Sequence, residues 1–416
     1  MKKEVLFDFI ERFSNIRKYF KGNSFTRNRN MNVTQIIAYL LFQRGKTTTL
    51  ELKEFFKNLF MKFYFKVITK QAFSKQRQNI DPMIFKDMNS EAITDFYSDK
   101  KVVKTFCDYI LLGSDGSIME LPNTKDLREE YKSPEYKNSH SKTKIARART
   151  STLYDLENEI VIDSQIISHD KSERALLLDH LNATSKILDF TKSLLIVDRG
   201  YYSFLFLKSI LDLKINFLFR LKKNAFKEIN KMLKPMEEIT IEVYGVKLRL
   251  VKVTLNTGEA EYLLTNVPKN RINTPKIKEL YFKRWGIETA YDIMKNKLHI
   301  ENFSGKTKIS IEQDFYACVF LYNLLTGIKK EVNENVKAKK SKLKYEYQAN
   351  LNTLAGSLKM LLVSMLLMSK EEQTKAWAHI IETAEKELVP IIPNRTNSRV
   401  RRNTRDKYKT NLRPNM

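Results

Sequence analysis

Between residues 105 and 221 short apolar runs alternate with amphipathic stretches in a fixed order, and this order restricts the fold more than any other feature of the chain. Residues 109–112 are apolar and run into Gly113-Ser114-Asp115-Gly116-Ser117. Residues 147–153 alternate weakly, and 160–162 with 165–167 give a third strand. Residues 171–190 carry Leu176, Leu177, Leu178, Leu181, Ile187 and Leu188 at helical spacing. Residues 194–197 then run without a polar break, as in a central strand covered on both faces. That run ends at Asp198-Arg199-Gly200-Tyr201. A helix with Phe204, Leu207 and Ile210 follows, and residues 216–221 make a fifth strand.

Strand, strand, strand, helix, strand, helix, strand is the order of the ribonuclease-H-like fold, so the expected class is α/β with such a core over 105–221 and 271–325. In that fold the first and fourth strands are neighbours, and Asp115 and Asp198 would reach the same sheet edge; this step is fold analogy. Residues 222–270 interrupt the series with strand patterns at 239–243, 247–253 and 261–264, and Asn256-Thr257-Gly258 as a turn. They read as a β-rich insertion.

The flanks read as helical. Asn32 or Thr34 can cap a helix through Phe42, Thr48 or Thr49 can start a second, and Thr69 can cap a third over 70–79, closed by Asp81-Pro82. Residues 1–100 are thus expected as a helical DNA-binding domain, with a helix-turn-helix at about 48–80. Its recognition helix would offer Lys70, Gln71, Ser74, Lys75, Arg77 and Gln78 to phosphates and base edges; a polar surface helix is the alternative. Residues 326–416 form a helical C-terminal region with a basic link at 337–344. The basic tail 394–416 is expected to be disordered without a polyanion.

The stretch from Tyr281 to Lys295 carries a second constraint. At a helical turn of about 100° per residue, Tyr281, Arg284, Glu288 and Lys295 fall within about 60° of one another. Phe282, Ile287, Ala290, Ile293, Met294 and Leu298 occupy the opposite side. One face is expected to be buried and the other to present phenol, guanidinium, carboxylate and ammonium in a row. Trp285, about 40° off that row, is either core or a stacking platform.

Charge selects among partners. Lys and Arg exceed Asp and Glu by 26, an excess that a polyanion would neutralise. Nucleic acid is the leading partner. No apolar run reaches the length of about 18 residues that a membrane span needs, and no leader pattern opens the sequence, so a cytoplasmic protein is expected. The two cysteines, Cys107 and Cys318, sit inside apolar patterns, as buried thiols do in a reducing compartment. CxxC, HExxH and phosphate-loop glycine motifs are all missing, so a metal here must be held by carboxylates, which suit a hard ion such as magnesium.

Asp115, Asp198 and Glu288 are the candidate catalytic and metal-ligating residues. Two unit charges about 5 Å apart repel by roughly 3 kcal/mol at an effective dielectric near 20. Three would need a compensating cation. Two divalent ions about 3.5–4 Å apart would neutralise them and perform in-line phosphoryl chemistry. Arg284 and Lys295 are spaced to grip phosphate oxygens beside them, and Tyr281 can donate to a phosphate or stack on a base. Arg199 reads either as a phosphate contact or as an ion-pair partner within the domain.

Tyr281-x2-Arg284-x3-Glu288-x6-Lys295 resembles the YREK signature of the DDE transposases of bacterial insertion sequences, specifically the insertion-sequence-four-like group. Asp115-Gly116-Ser117 with Leu121-Pro122 is similar to the group's first aspartate block, and Val197-Asp198-Arg199-Gly200-Tyr201 to its second. The resemblance covers about residues 50–325. It implies a cut-and-paste transposase that binds the terminal inverted repeats of its element, nicks, forms and reopens a hairpin, and joins the 3′-hydroxyl to target DNA. It also implies that Asp115, Asp198 and Glu288 bind two Mg2+ ions (Mn2+ can substitute) and that Tyr281, Arg284 and Lys295 hold terminal phosphates. A homodimer associated with the bacterial nucleoid would be the working form. Unlike some relatives, the insertion holds no tryptophan for a flipped base. A catalytically silent DNA-binding repressor and another ribonuclease-H-like nuclease are the competing functions.

Overall fold

The computed structural model describes residues 17–22, 24–25, 31–43, 45–60, 68–138, 141–234, 237–255, 258–339 and 345–392. The end of the expected basic link, 340–344, and the tail 394–416 lie outside them. In chain order the helices are α1 (Val33–Phe42), α2 (Thr48–Phe60), α3 (Lys70–Arg77), α4 (Met83–Ser98), α5 (Lys125–Glu130), α6 (Glu173–Thr184), α7 (Phe204–Asp212), α8 (Thr274–Phe282), α9 (Trp285–Asn296), α10 (Lys308–Lys339), α11 (Leu351–Ser364) and α12 (Lys370–Lys386). The strands are β1 (Ile110–Glu120), β2 (Glu135–Asn138), β3 (Ser141–Lys144), β4 (Arg147–Asp155), β5 (Ile160–Ile167), β6 (Ser193–Val197), β7 (Asn216–Leu221), β8 (Glu237–Val243), β9 (Val246–Thr254), β10 (Ala260–Thr265), β11 (Glu346–Ala349) and β12 (Leu388–Ile391). Two compact units result, one from 96–117 and 149–291, the other from 1–95, 118–148 and 292–416.

The first unit is organised by an eight-stranded sheet of order β5-β4-β1-β6-β7-β10-β9-β8. Its first five positions are the ribonuclease-H-like order, with β1 and β7 both parallel to β6. Leu194, Leu195, Ile196 and Val197 of β6 are fully buried, which is why that run carries no polar residue. Residues 222–270 do not form a separate layer. β10 pairs antiparallel with β7, and β9 and β8 continue the sheet from it. The β8–β9 hairpin closes through Tyr244 and Gly245, both with positive φ, 55° and 72°; a two-residue turn with this twist needs the left-handed region at both positions.

The second unit joins the two ends of the chain. Asn32 and Gln35 form the capping box of α1, and the Thr69 hydroxyl accepts from Ala72 N–H to start α3. Tyr39 packs edge-on against Phe55 and Phe73, at centroid distances of 5.6 and 4.7 Å. α11 packs on α1 and α2, and Lys359 on α11 donates to the Gln43 carbonyl at 2.8 Å. The N-terminal helices therefore share a core with the C-terminal ones.

α3 forms where expected, but only part of its polar face is outward. Lys70, Gln71, Ser74 and Lys75 are exposed. Arg77 is not a surface contact. It is 1 % exposed, ion-paired to Asp314 at 2.8 Å, and donates to Gln313 and Ser304. Gln78 is half-buried and donates to the Ser310 hydroxyl. The helical count missed this because α10 covers that side of α3, a long-range contact. Replacing Arg77 by alanine leaves the buried Asp314 without its guanidinium and should cost roughly 3–5 kcal/mol. Thermal unfolding of Arg77→Ala beside Lys75→Ala checks this. Unchanged stability with weakened DNA binding in Arg77→Ala would return Arg77 to the DNA-contacting set.

Candidate active site

The β1–β6 register runs to Gly113 opposite Ile196. Extended two residues past its last pair, that register brings Asp115 level with Asp198, the first residue after β6. Each aspartate Oδ1 accepts the next residue's backbone N–H, Gly116 at 2.9 Å and Arg199 at 2.7 Å. Their electrostatics differ. Burial pushes the Asp115 carboxyl up to about 6, against the pull of the Gly116 N–H and the Arg284 guanidinium. Burial also acts on Asp198, but Arg199 N–H with Arg284 and Arg220 outweighs it and holds the carboxyl below its ordinary range.

Glu288 comes from α9, which is pinned to the sheet by Tyr291. The Tyr291 hydroxyl donates to Thr152 Oγ1 at 2.9 Å and lies 3.2 Å from the Asp115 carbonyl oxygen. One turn before Tyr291, Glu288 Oε1 accepts from Arg284 Nη2 at 3.1 Å. Arg284 also acts electrostatically on Asp115 and Asp198. Arg284 is thus paired with Glu288 and within electrostatic reach of both aspartates.

The expected continuous helix from Tyr281 to Lys295 is broken. α8 ends at Phe282 and α9 begins at Trp285, with Arg284 N–H bonding Tyr281 O and Ile287 N–H bonding Arg284 O. These three-residue bonds tighten the turn and rotate the residues around it. Tyr281 and Arg284, expected on the open face, are 4 % and 7 % exposed; Phe282, expected inside, is 41 % exposed. Trp285 is 49 % exposed, so the core alternative fails for it. Ile287, Ala290, Ile293, Met294 and Leu298 are buried as the pattern required. Lys295 belongs to the other unit, 3.5 Å from Glu301. The exposed Arg199 has no ion-pair partner among the described residues.

Two further Arg–Glu pairs flank the aspartates, and the sequence reading missed both. Arg149 meets Glu173 at 2.7 Å, and Glu173 Oε1 lies so close to Gly116 that a Cβ there would stand 3.0 Å from it. Arg220 meets Asp198 at 3.2 Å and Glu261 at 2.6 Å. The available signal was a charge inside an otherwise apolar strand, as in Phe217-Leu218-Phe219-Arg220-Leu221. A Ser151–His180–Asp163 chain with 3.0 and 2.7 Å contacts is also present, but all three residues are buried. It has the contacts of a hydrolytic triad without access for a substrate, and it ties α6 to β4 and β5.

Two observations bear on what the site can hold. Among the described residues the buried Tyr281 hydroxyl and Arg284 Nε lack a hydrogen bond of good geometry, although the two side chains interact with each other, and an anionic oxygen would satisfy both. Asp115 on β1 and Asp198 just past β6 each keep Oδ2 outside the backbone bonds as hard oxygen donors. Among the described residues no three His, Cys, Asp or Glu side chains already close into a metal cage; Glu288 is paired with Arg284 instead. The donor types therefore suit a divalent cation and a phosphate.

The sequence profile described as transposase DDE domain matches residues 109–324. No curated protein matches the chain. Among solved structures, it is similar to the piggyBac transposase in a synaptic complex with hairpin DNA, at 12 % identity and a TM-score of 0.50, over 95 % of this chain and 87 % of that one. Among the described residues no helix is long and apolar enough to cross a membrane.

Proposed function

The chain belongs to the transposase DDE-domain family, and from that premise we propose a cut-and-paste transposase of the insertion-sequence-four-like group that cleaves DNA at the terminal inverted repeats of its own element and joins the ends to target DNA. The family makes it an enzyme that acts on DNA. The observation that supports the finer reading most is that Asp115 on β1 and Asp198 just past the parallel β6 both lie in the field of Arg284, the guanidinium that pairs with Glu288.

Asp115, Asp198 and Glu288 would hold the cations, magnesium or manganese. When bound, a pair of divalent ions supplies an acidified water or 3′-hydroxyl and a counter-charge for the leaving oxygen. The rest falls to the chain. Arg284 leaves Glu288 for a non-bridging phosphate oxygen and gains an acceptor for Nε. Tyr281 donates its hydroxyl to the same phosphate and the exposed Trp285 stacks on a terminal base, while Lys295 is a separate phosphate contact. These four side chains support a hairpin route. Lys70, Gln71, Ser74 and Lys75 on α3 are the proposed end-recognition contacts, and Arg199 a phosphate contact. A homodimer that synapses two ends in the nucleoid completes the proposal.

The test uses the full chain and DNA carrying both flanks of its reading frame. Magnesium or manganese should produce breaks at the inverted-repeat ends and joined products on target DNA, and EDTA should abolish both. Specific binding without cleavage in either ion would establish the repressor instead.

A further inference from the structure

We infer that Glu261, acting through Arg220, is a positioning residue that sets the orientation and cation affinity of Asp198. The inference rests on the cation-binding reading above and goes beyond it, because neither residue belongs to the signature that motivated that reading.

Three strand registers converge on one row. Gly113 pairs with Ile196 and Ile196 with Leu218, so the registers carried two residues on bring Asp115 of β1, Asp198 just past β6 and Arg220 of β7 level with one another. Arg220 in turn pairs with Leu263 of β10, which makes Glu261 its diagonal neighbour on the same face. The guanidinium spans the gap, with Nη2 2.6 Å from Glu261 Oε1 and Nη1 3.2 Å from Asp198 Oδ1.

The two ends of this arm are unequal. Glu261 is 8 % exposed and the Asp198 side chain 39 % exposed. The shorter contact lies at the buried end, where an ion pair is least screened. Arg220 is thus anchored to Glu261 and only leans on Asp198. That arrangement orients the aspartate while leaving it available to a cation. Without the Glu261 charge, the guanidinium would settle fully on Asp198 and compete with the metal for its oxygens. Partners that orient a ligating carboxylate typically change metal affinity by 10–100-fold when removed.

The experiment titrates Mn2+ into the full DNA-free chain and follows the free ion by electron paramagnetic resonance, with thermal unfolding in parallel. Glu261→Gln should raise the Mn2+ dissociation constant by roughly 10–100-fold. In an Arg220→Gln background the same change should shift it by less than about threefold, because the arm it acts through is gone. Glu261→Asp keeps the charge and should recover part of the affinity, which keeps the test decisive should the glutamine variant fold poorly. Wild-type affinity in Glu261→Gln, or an equal loss with and without Arg220, would overturn the inference while leaving the cation site intact. A wild-type chain that binds no Mn2+ at any accessible concentration would overturn the cation-binding reading and this one with it.

Discussion

Glu288→Gln should lose at least about 10³-fold in metal-dependent DNA cleavage, about 4 kcal/mol of transition-state stabilisation, while binding inverted-repeat DNA within about threefold of wild type. The amide matches the carboxylate in shape and can still accept from Arg284, whose contact with Glu288 is 3.1 Å. What it lacks is the charge needed to hold a hard cation beside Asp115 and Asp198. Because Tyr291 keeps α9 on the sheet through Thr152, the backbone around position 288 has no reason to move. The loss should therefore fall on kcat and not on DNA affinity. Electrophoretic mobility in calcium, beside cleavage in magnesium, separates the two. Cleavage by Glu288→Gln at near wild-type rate would remove Glu288 from the catalytic set, and equal losses in binding and cleavage would make its role structural.

The sequence made the order of the core readable because its central strands are buried on both faces. The unbroken run before Asp198 could be little else, and its end marked the sheet edge. Caps were equally local: Asn32 and Thr69 each act on the N–H three residues on, so their effect shows in the residues themselves. The failures share the opposite cause. Arg77 is buried because Gln313 and Asp314, more than two hundred positions along the chain, accept its hydrogen bonds. Arg220 and Glu261 meet because β10 returns to pair with β7, a pairing that no periodicity announces. Trp285 and Phe282 face outward because the helix tightens between α8 and α9, a two-residue irregularity that changes the exposure of its immediate neighbours while the positions from Ile287 onward keep their expected side. The types of the site residues were therefore legible, but their exposure was not.

Asp115→Asn should make the metal-free protein more stable at neutral pH while abolishing cleavage. In the folded chain burial lifts the Asp115 carboxyl from 3.8 to about 6; in the unfolded chain it returns to its ordinary value. A raised carboxyl favours folding only while protonated. Its contribution is fully present below about pH 4 and is lost as pH rises through 6. At pH 7 the ionised group disfavours the native state by roughly 2–3 kcal/mol, since each pH unit between the folded and unfolded values is worth about 1.4 kcal/mol. Asparagine removes that charge and can keep the bond from Gly116 N–H. Its advantage should be absent near pH 4, grow between 4 and 6, and be complete above 6, where the unfolding midpoint should rise by several degrees. Magnesium should reverse the order, because a cation stabilises the wild-type carboxylate in proportion to its differential binding and has little hold on the amide. Thermal unfolding of both proteins at pH 4, 6 and 7.5, with and without magnesium, checks each step. An asparagine variant equally stabilised at pH 4 and pH 7.5 would mean that packing, not the buried charge, distinguishes the two side chains.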